Sequence, residues 1–289
     1  MIRRTIAIAA FLLILASLHV IALGRSTEAR KQLPRGEGSA IVLPSALLKI
    51  AALEFKGLVS DVLFLDSIAF YGGTLNREER PRLKEWEWQW LDKTLSASAD
   101  LDPYFLDPYL FGNAVFTWEA GMIREANDLL AKGSRHRTWD WMLPFFTGFN
   151  YFFFLQENEK AAEFLMEASR RPDADPMLAS IASKLAFKEK KTETSIQFLE
   201  EMLQRTDDDL SKQRFRKRIE ALRGILLLEQ AVAHYQKRYH VKPHSFEALV
   251  AKGIIQKVPE DPYGGTFYLD PSGSVKSTTE RELMPHRKK

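Results

Sequence analysis

The residues best able to do chemistry lie in the last third of the chain, where three histidines fall close together. They are His234, His240 and His244. Two histidines four residues apart on one helix are a common zinc-binding arrangement. Pro243 stands between the second and the third, so this pair does not lie on one regular helical turn. We therefore predict no metal site.

Two acidic runs are the other chemical candidates, "DDD" at 207–209 and "EDP" at 260–262. The first predicts a helix boundary, because negative charge suits a helix N-terminus. The second is typical of a turn. The chain has no cysteine, which excludes disulfides, thiolate metal sites and cysteine nucleophiles. No phosphate-binding glycine loop or nucleophile elbow is present either. The sequence therefore predicts no catalytic residue and no cofactor.

The second acidic run belongs to the stretch "VPEDPYGGTFYLDPSGSV" at 258–275. Two short alternating runs, "TFYLD" and "SVKST", flank "PSGS" and predict a β-hairpin. A helix of about seven turns is expected before it, up to Tyr239, followed by a short helix between Ser245 and Gly253. Structural turn residues are predicted at Asp261, Pro262, Gly264, Gly265 and Gly273.

At the other end of the chain, Arg3 and Arg4 precede nineteen uncharged residues, Thr5–Leu23. Residues 1–24 therefore predict a transmembrane anchor, with a cleaved signal sequence as the alternative. The polar segment 25–44 is expected to be a linker. Basic residues lie on both sides of the span, so the positive-inside rule does not decide orientation. We place the chain in a bacterial inner membrane as a single-pass protein, with its bulk in the periplasm.

The middle of the chain, residues 45–209, repeats itself. Three similar segments begin at Met122, Glu157 and Lys191, at steps of 35 and 34 residues. Each follows a helical segment with small residues near its middle, which would let paired helices approach closely. Repeat-packing positions are predicted at Gly112, Ala114, Gly148, Ala162 and Ala182.

This period, the small residues and the Asp-Pro entries at 102–103, 107–108 and 175–176 resemble the tetratricopeptide (TPR) family over roughly residues 80–209. The resemblance implies an α-solenoid of helix hairpins that binds protein partners. The family's Trp, Leu-Gly and Tyr pattern is missing from the first helices, so its peptide-binding residues are not carried over. Together with the anchor, the arrangement also resembles bacterial membrane-associated repeat proteins.

The last domain, residues 210–289, resembles the C-terminal region of type II secretion pseudopilins and type IV pilin-like proteins. The residues that carry this resemblance are Tyr239, Pro243, Leu249, Pro259, Asp261, Pro262, Tyr263, Gly264 and Gly265. It implies a role in an envelope assembly. The N-terminus lacks the pilin methylation segment, so the chain is not predicted to be a pilin subunit.

Two aromatic runs lie in the repeat region. In "EWEWQWL", Trp86, Trp88 and Trp90 have a spacing of two, but the flanking residues favour a helix, which points them to different sides. The run "FFTGFNYFFF" at 145–154 is apolar on every side of a helix. Such a pattern predicts a central, buried helix. We interpret both runs as core packing.

Net charge is +3, and it is uneven, because residues 210–289 carry 16 Lys and Arg against 8 Asp and Glu. No aromatic-interleaved basic motif accompanies this excess, so nucleic acid is not an expected partner. The sequence predicts a mainly α protein that is a non-enzymatic, membrane-anchored scaffold for protein partners of unknown identity. The alternative is a structural spacer whose basic C-terminal region binds an anionic lipid or polysaccharide surface.

Overall fold

The computed structural model describes residues 42–75 and 83–279, together with Leu15 and residues 17–22 and 24–25. These residues form a mainly helical fold with a small two-stranded sheet at the C-terminal end, which confirms the predicted class. The helices are α1 Ser45–Ala51, α2 Lys56–Leu75, α3 Glu85–Leu101, α4 Asp107–Val115, α5 Ile123–His136, α6 Met142–Asn150, α7 Asn158–Ser169, α8 Pro176–Lys188, α9 Thr192–Arg205, α10 Asp209–Tyr239 and α11 Phe246–Ala251. The strands are β1 Phe267–Leu269 and β2 Val275–Ser277.

The chain divides into two compact units. The first comprises residues 1–42 and 82–90, and the second comprises residues 43–81 and 91–289. In the first unit, the predicted helix around the three tryptophans is confirmed as the start of α3. There Glu87 is buried and accepts a hydrogen bond from the backbone N–H of Lys84 at 2.7 Å, as a carboxylate at the third helical position often does.

The predicted anchor lies mostly outside the described residues, which include only part of the span 5–23. Among the residues that are described, no helix is both long enough and apolar enough to cross a membrane. The structure therefore gives no support to the anchor, which stays a prediction. Most of the linker, residues 26–41, also lies outside the described part.

Within the second unit, α4 to α10 form a helical-repeat-like fold in which each helix packs on the next one along the chain. One apolar core cluster runs from Ala161 in α7 to Val275 in β2. It includes Phe215 and Leu222 of α10 as well as Phe246 of α11. The C-terminal helices and the hairpin therefore share a core with the preceding repeats and continue across the predicted boundary at residue 209.

Two glycines lie where helices approach most closely. A Cβ atom added at Gly112 would collide with the side chain of Leu129, and one added at Gly148 would lie 2.9 Å from Leu165 Cγ. The same atom at Gly148 would lie 3.1 Å from the backbone oxygen of Ala161. Any side chain larger than that of glycine would therefore push these helices apart.

The alanines predicted at repeat-packing positions differ from one another. Ala162 and Ala182 are buried. Ala114 is exposed, because it stands two positions from Gly112 and therefore about 200° around the helix. It does not pack between helices. Gly133, which is not among the predicted positions, is packed closely, with Leu143 Cδ1 and the Tyr109 ring each 2.9 Å from the site of an added Cβ.

The C-terminal elements follow the predicted order. Asp208 caps α10 by accepting a hydrogen bond from the backbone N–H of Ser211 at 2.7 Å, so the helix boundary predicted at 207–209 is confirmed. Beyond α11, β1 pairs antiparallel with β2 in the register Phe267 to Ser277 and Leu269 to Val275. The predicted hairpin is therefore confirmed.

The turn before the hairpin is organised by Asp261, a buried carboxylate. It accepts hydrogen bonds from the hydroxyls of Ser277 and Thr279 and from the backbone N–H of Tyr263. Pro262 follows it, and Gly264 takes a φ of +88°, which favours glycine. A Cβ at Gly265 would lie 2.7 Å from Thr279 Cγ2, and Gly273 in the hairpin loop has a φ of +84°.

Replacing Gly148 by alanine should lower the free energy of unfolding by about 1–2 kcal/mol, because overpacking outweighs the gain in helix propensity. Gly72 of α2 is the matched control, since nothing lies within 4 Å of an added Cβ there. Gly72→Ala should raise stability by about 0.5–1 kcal/mol. Urea unfolding of both variants measures this, and equal shifts in the same direction would contradict the close packing at Gly148.

Candidate functional site

The aromatic run at 145–154 is not buried on every side, so this prediction is wrong. Phe152 is 45% exposed and Phe153 is 41% exposed. The inner face of α6 is formed instead by Leu143, Pro144, Thr147, Gly148 and Asn150, all of them buried. The reason is the close approach of α7 at Gly148, which leaves no space for a phenyl ring at this point of the helix contact.

Two of the repeat helices end in the same unusual way. Helix α4 continues into a π-helical turn, Phe116–Ala120, and α6 continues into another, Tyr151–Leu155. Each turn is closed by a residue with positive φ, Gly121 at 69° and Gln156 at 57°. In such turns the hydrogen bonds span five residues instead of four, and they are frequent at functional sites.

The two π-helical turns bring aromatic side chains from both helices together on the outside of the fold. We define the aromatic surface as Trp118, Phe149, Phe152, Phe153 and Phe154. Trp118 is 61% exposed, and its ring lies 4.9 Å from that of Phe154 and 5.8 Å from that of Phe153. Phe153 in turn stacks on Phe149 at 5.4 Å. Large aromatic groups are thus held next to one another while remaining accessible to solvent.

Beneath this surface, a buried network of amides joins three helices. The Nδ2 of Asn150 in α6 donates hydrogen bonds to Oδ1 of Asn113 in α4 and Oδ1 of Asn127 in α5, both at 2.8 Å. All three residues are buried. Hydrogen bonds in such surroundings are costly to lose, so the network fixes α4 against α6. It thereby fixes the position of Trp118 relative to Phe153.

An acidic group lies at the edge of the aromatic surface. Glu119 follows Trp118 in the chain and is exposed. Burial raises the pKa of the Tyr71 hydroxyl, and the negative charge of Glu119 raises it further. The ring of Tyr71 itself packs edge to face on Phe111 of α4. A basic group on a ligand would be attracted to this edge.

The histidines are placed apart from this surface. His234, His240 and His244 are all exposed, and His240 ends α10 in the left-handed conformation. In the part of the chain that the structure describes, no group of three potential ligand residues is arranged to hold a metal ion.

A cleft of about 470 Å³ lies between the loop after α7 and the ends of α9 and α10. Three arginines line it, but their hydrogen bonds are made within the protein. Arg170 and Arg205 both contact Glu201, at 2.9 and 3.1 Å, and Arg171 donates to the backbone oxygen of Asp140 at 2.8 Å. The cleft therefore offers a ligand little positive charge.

The aromatic surface is the best candidate for a functional site, since it joins exposure of large apolar groups to a rigid support. None of its members was selected as a site residue from the sequence. A signal was present, because Thr147 and Asn150 interrupt the aromatic run three residues apart and mark one helix face. No protein-family model matches this chain, and no curated protein matches it.

Replacing Asn150 by alanine should lower the free energy of unfolding by about 2–3 kcal/mol, because two buried amide oxygens lose their donor. Asn158 provides the control, since its side chain donates to Glu189 at 2.9 Å on the exposed surface. Asn158→Ala should change stability by less than about 0.5 kcal/mol. Chemical denaturation distinguishes the two, and equal losses would show that the network does not hold the helices together.

Proposed function

We propose that the protein is a non-enzymatic scaffold, anchored to the bacterial inner membrane through residues 5–23, that binds a protein partner through a TPR-like α-solenoid. The aromatic surface is the observation that carries this proposal. Exposed clusters of aromatic residues are common at protein interfaces, where Trp and Phe provide large contact area. The partner would belong to an envelope assembly of the pilus or secretion kind.

The chemistry of the surface indicates what the partner presents. Trp118 and Phe153 offer flat apolar faces, which favour apolar or aromatic anchor side chains. Glu119 at the edge favours a Lys or Arg beside those anchors. We therefore expect a peptide segment with apolar anchors and a neighbouring basic residue. Because the amide network holds the rings in place before binding, little ordering is required when the segment docks.

A second pair of exposed aromatics supplies a matched control for this proposal. Tyr104 and Trp139 stack at 5.9 Å on another part of the repeat region, and both are about half exposed. They lack the π-helical turns and the buried amides beneath. If exposure of aromatic rings alone were sufficient, the two surfaces would bind equally well.

Trp118→Ala should weaken binding of the partner by about 30-fold, as expected when a hot-spot residue is removed. Trp139→Ala should leave binding unchanged. The partner can be identified by placing a photo-crosslinking phenylalanine analogue at Phe153 in cells, with position 139 as the control. Affinities of the purified pair then follow from titration calorimetry.

Crosslinks that form equally at positions 153 and 139, or equal affinities for the two alanine variants, would contradict a specific role of the aromatic surface. A purified partner that binds the Trp118→Ala variant as tightly as it binds the unchanged protein would also contradict this role.

A second candidate function is binding of an anionic lipid or polysaccharide surface by the C-terminal region. The observation in its favour is a group of cations that the fold collects around two rings. Lys217 lies 4.9 Å from the ring of Tyr263, while Arg218 and Lys276 lie 5.3 and 5.8 Å from that of Phe187. Arg218 and Lys276 are far apart in sequence and share one ring.

Under this second function, Lys217→Glu together with Lys276→Glu should abolish the salt-sensitive part of binding to phosphatidylglycerol vesicles. The control is Lys93→Glu, a surface change in α3 outside this group of cations. Vesicle co-sedimentation between low and high salt measures the effect. Binding that is insensitive to salt, or that both variants weaken equally, would exclude an electrostatic role for this group.

A further inference from the structure

Helix α2 buries small polar residues, whereas most helices of soluble proteins bury large apolar ones. Ser60 and Ser67 of α2 are buried, together with Thr74. Their hydroxyls are satisfied inside the fold: Ser67 donates to the backbone oxygen of Leu63 at 2.9 Å, and Thr74 donates to that of Tyr71 at 2.6 Å. The buried positions of this helix are therefore small and polar, while the rings of Phe64 and Tyr71 pack edge to face on Phe111 of α4.

Ser60 makes the closest helix contact on this face. Its Oγ donates to the backbone oxygen of Ser98 in α3 at 2.9 Å, and Ser98 Oγ donates to the backbone oxygen of Ser60 at 3.1 Å. Reciprocal bonds of this kind require the two backbones to approach closely. Packing through small hydroxyl residues is one way in which helices approach closely, and it is common between helices in membranes.

Eight large apolar side chains of α1, of α2 and of the residues beside these helices are exposed instead. We call them the apolar face, and each is between 48% and 70% exposed. They are Leu43, Leu47, Ile50, Leu53, Phe55, Leu58, Val62 and Leu65. Groups of exposed apolar side chains such as these mark sites of interaction with protein or membrane.

On α2 the apolar face is a defined stripe. At 100° per residue, Leu58, Val62 and Leu65 fall within about 60° of one another, opposite Ser60. Asp61 and Asp66 border the stripe, one on each side. A second copy of α2 docked against it would bring like charges together, which is unfavourable. The arrangement therefore does not favour a symmetric pairing of two such stripes.

The place of the apolar face in the chain points to its occupant. Residues 24–42 separate it from the uncharged segment Thr5–Leu23, and nineteen residues span at most about 65 Å. If that segment lies in a bilayer, α1 and α2 are tethered close to the lipid surface.

We propose that the apolar face of α1 and α2 lies in the interface of the lipid bilayer, with the two helices parallel to the membrane plane. This inference rests on the membrane anchoring in the proposed function and adds a second contact with lipid. The burial of apolar side chains drives it. Because Glu54, Asp61 and Asp66 offset Lys49 and Lys56, the contact does not depend on anionic lipid and is insensitive to salt.

The absence of cysteine from the chain allows a direct test, since a single introduced cysteine carries a label at one known position. The variants are Leu58→Cys, Val62→Cys and Leu65→Cys on the face, with Gln213→Cys on the exposed side of α10 as the control. Each full-length chain is labelled with an environment-sensitive fluorophore and reconstituted with phosphatidylcholine vesicles that contain doxyl-labelled lipid.

We expect the three labels on the face to shift to shorter emission wavelength and to lose emission through quenching by the doxyl lipid, at low and high salt alike. The label at position 213 should show neither change. Thermal unfolding verifies that each variant is folded, and Leu47→Cys on α1 provides the same measurement if a change in α2 prevents folding.

Vesicle flotation separates the two levels of the proposal. A chain that floats with the vesicles while its labels on the face behave like the label at 213 overturns the inference and leaves the anchoring intact. A chain that does not float overturns both the anchoring and the inference. Labels that shift to shorter wavelength without quenching by lipid would show that protein covers the face, which also overturns it.

Discussion

The close approach of helices α6 and α7 at Gly148 is the constraint on which the rest of the structure depends. A Cβ at this position would meet Leu165 and the backbone oxygen of Ala161, so only small groups fit between the helices. Asn150 is two residues further on and therefore about 200° around the helix, where it reaches the amides of α4 and α5. The inner face is thereby filled, and Phe152 and Phe153 in the π-helical turn after α6 lie outside. The aromatic surface is a direct consequence of how tightly the helices are packed.

Much of the fold could be predicted from the sequence. The 34- and 35-residue steps indicated helix pairs, the acidic run at 207–209 indicated the start of α10, and the turn residues indicated the hairpin. These signals are local, or they repeat at a fixed spacing, and so a single chain displays them. The orientation of α6, by contrast, could not be predicted from the sequence. In an almost wholly apolar run the periodicity does not show which side is buried, and the partners of Asn150 are contributed by residues 23 and 37 positions away.

Helices α2 and α6 share one principle. Each places small or polar residues inward, Ser60 and Ser67 in one and Thr147 and Asn150 in the other, and each presents large apolar groups to the outside. Buried polar groups of this kind are stable only when they are hydrogen-bonded, and here hydroxyls and amides find partners on neighbouring helices or in their own backbone. The outward groups differ, since α6 offers stacked aromatic rings beside an acidic edge, whereas α2 offers aliphatic side chains. The first surface suits a peptide with apolar anchors, and the second suits the acyl region of a bilayer.

The central claim is that the rings of Trp118, Phe152 and Phe153 are on the outside of a rigid helical fold. Hydroxyl-radical footprinting with mass spectrometry measures this directly, because the rate of side-chain oxidation follows solvent access. The internal standards are Phe116 and Phe215, which are fully buried. We predict rapid oxidation of Trp118, Phe152 and Phe153 in the folded protein and strong protection of the two standards. Protection of Phe152 and Phe153 equal to that of Phe116 would show that α6 is buried on every side, and would contradict the account.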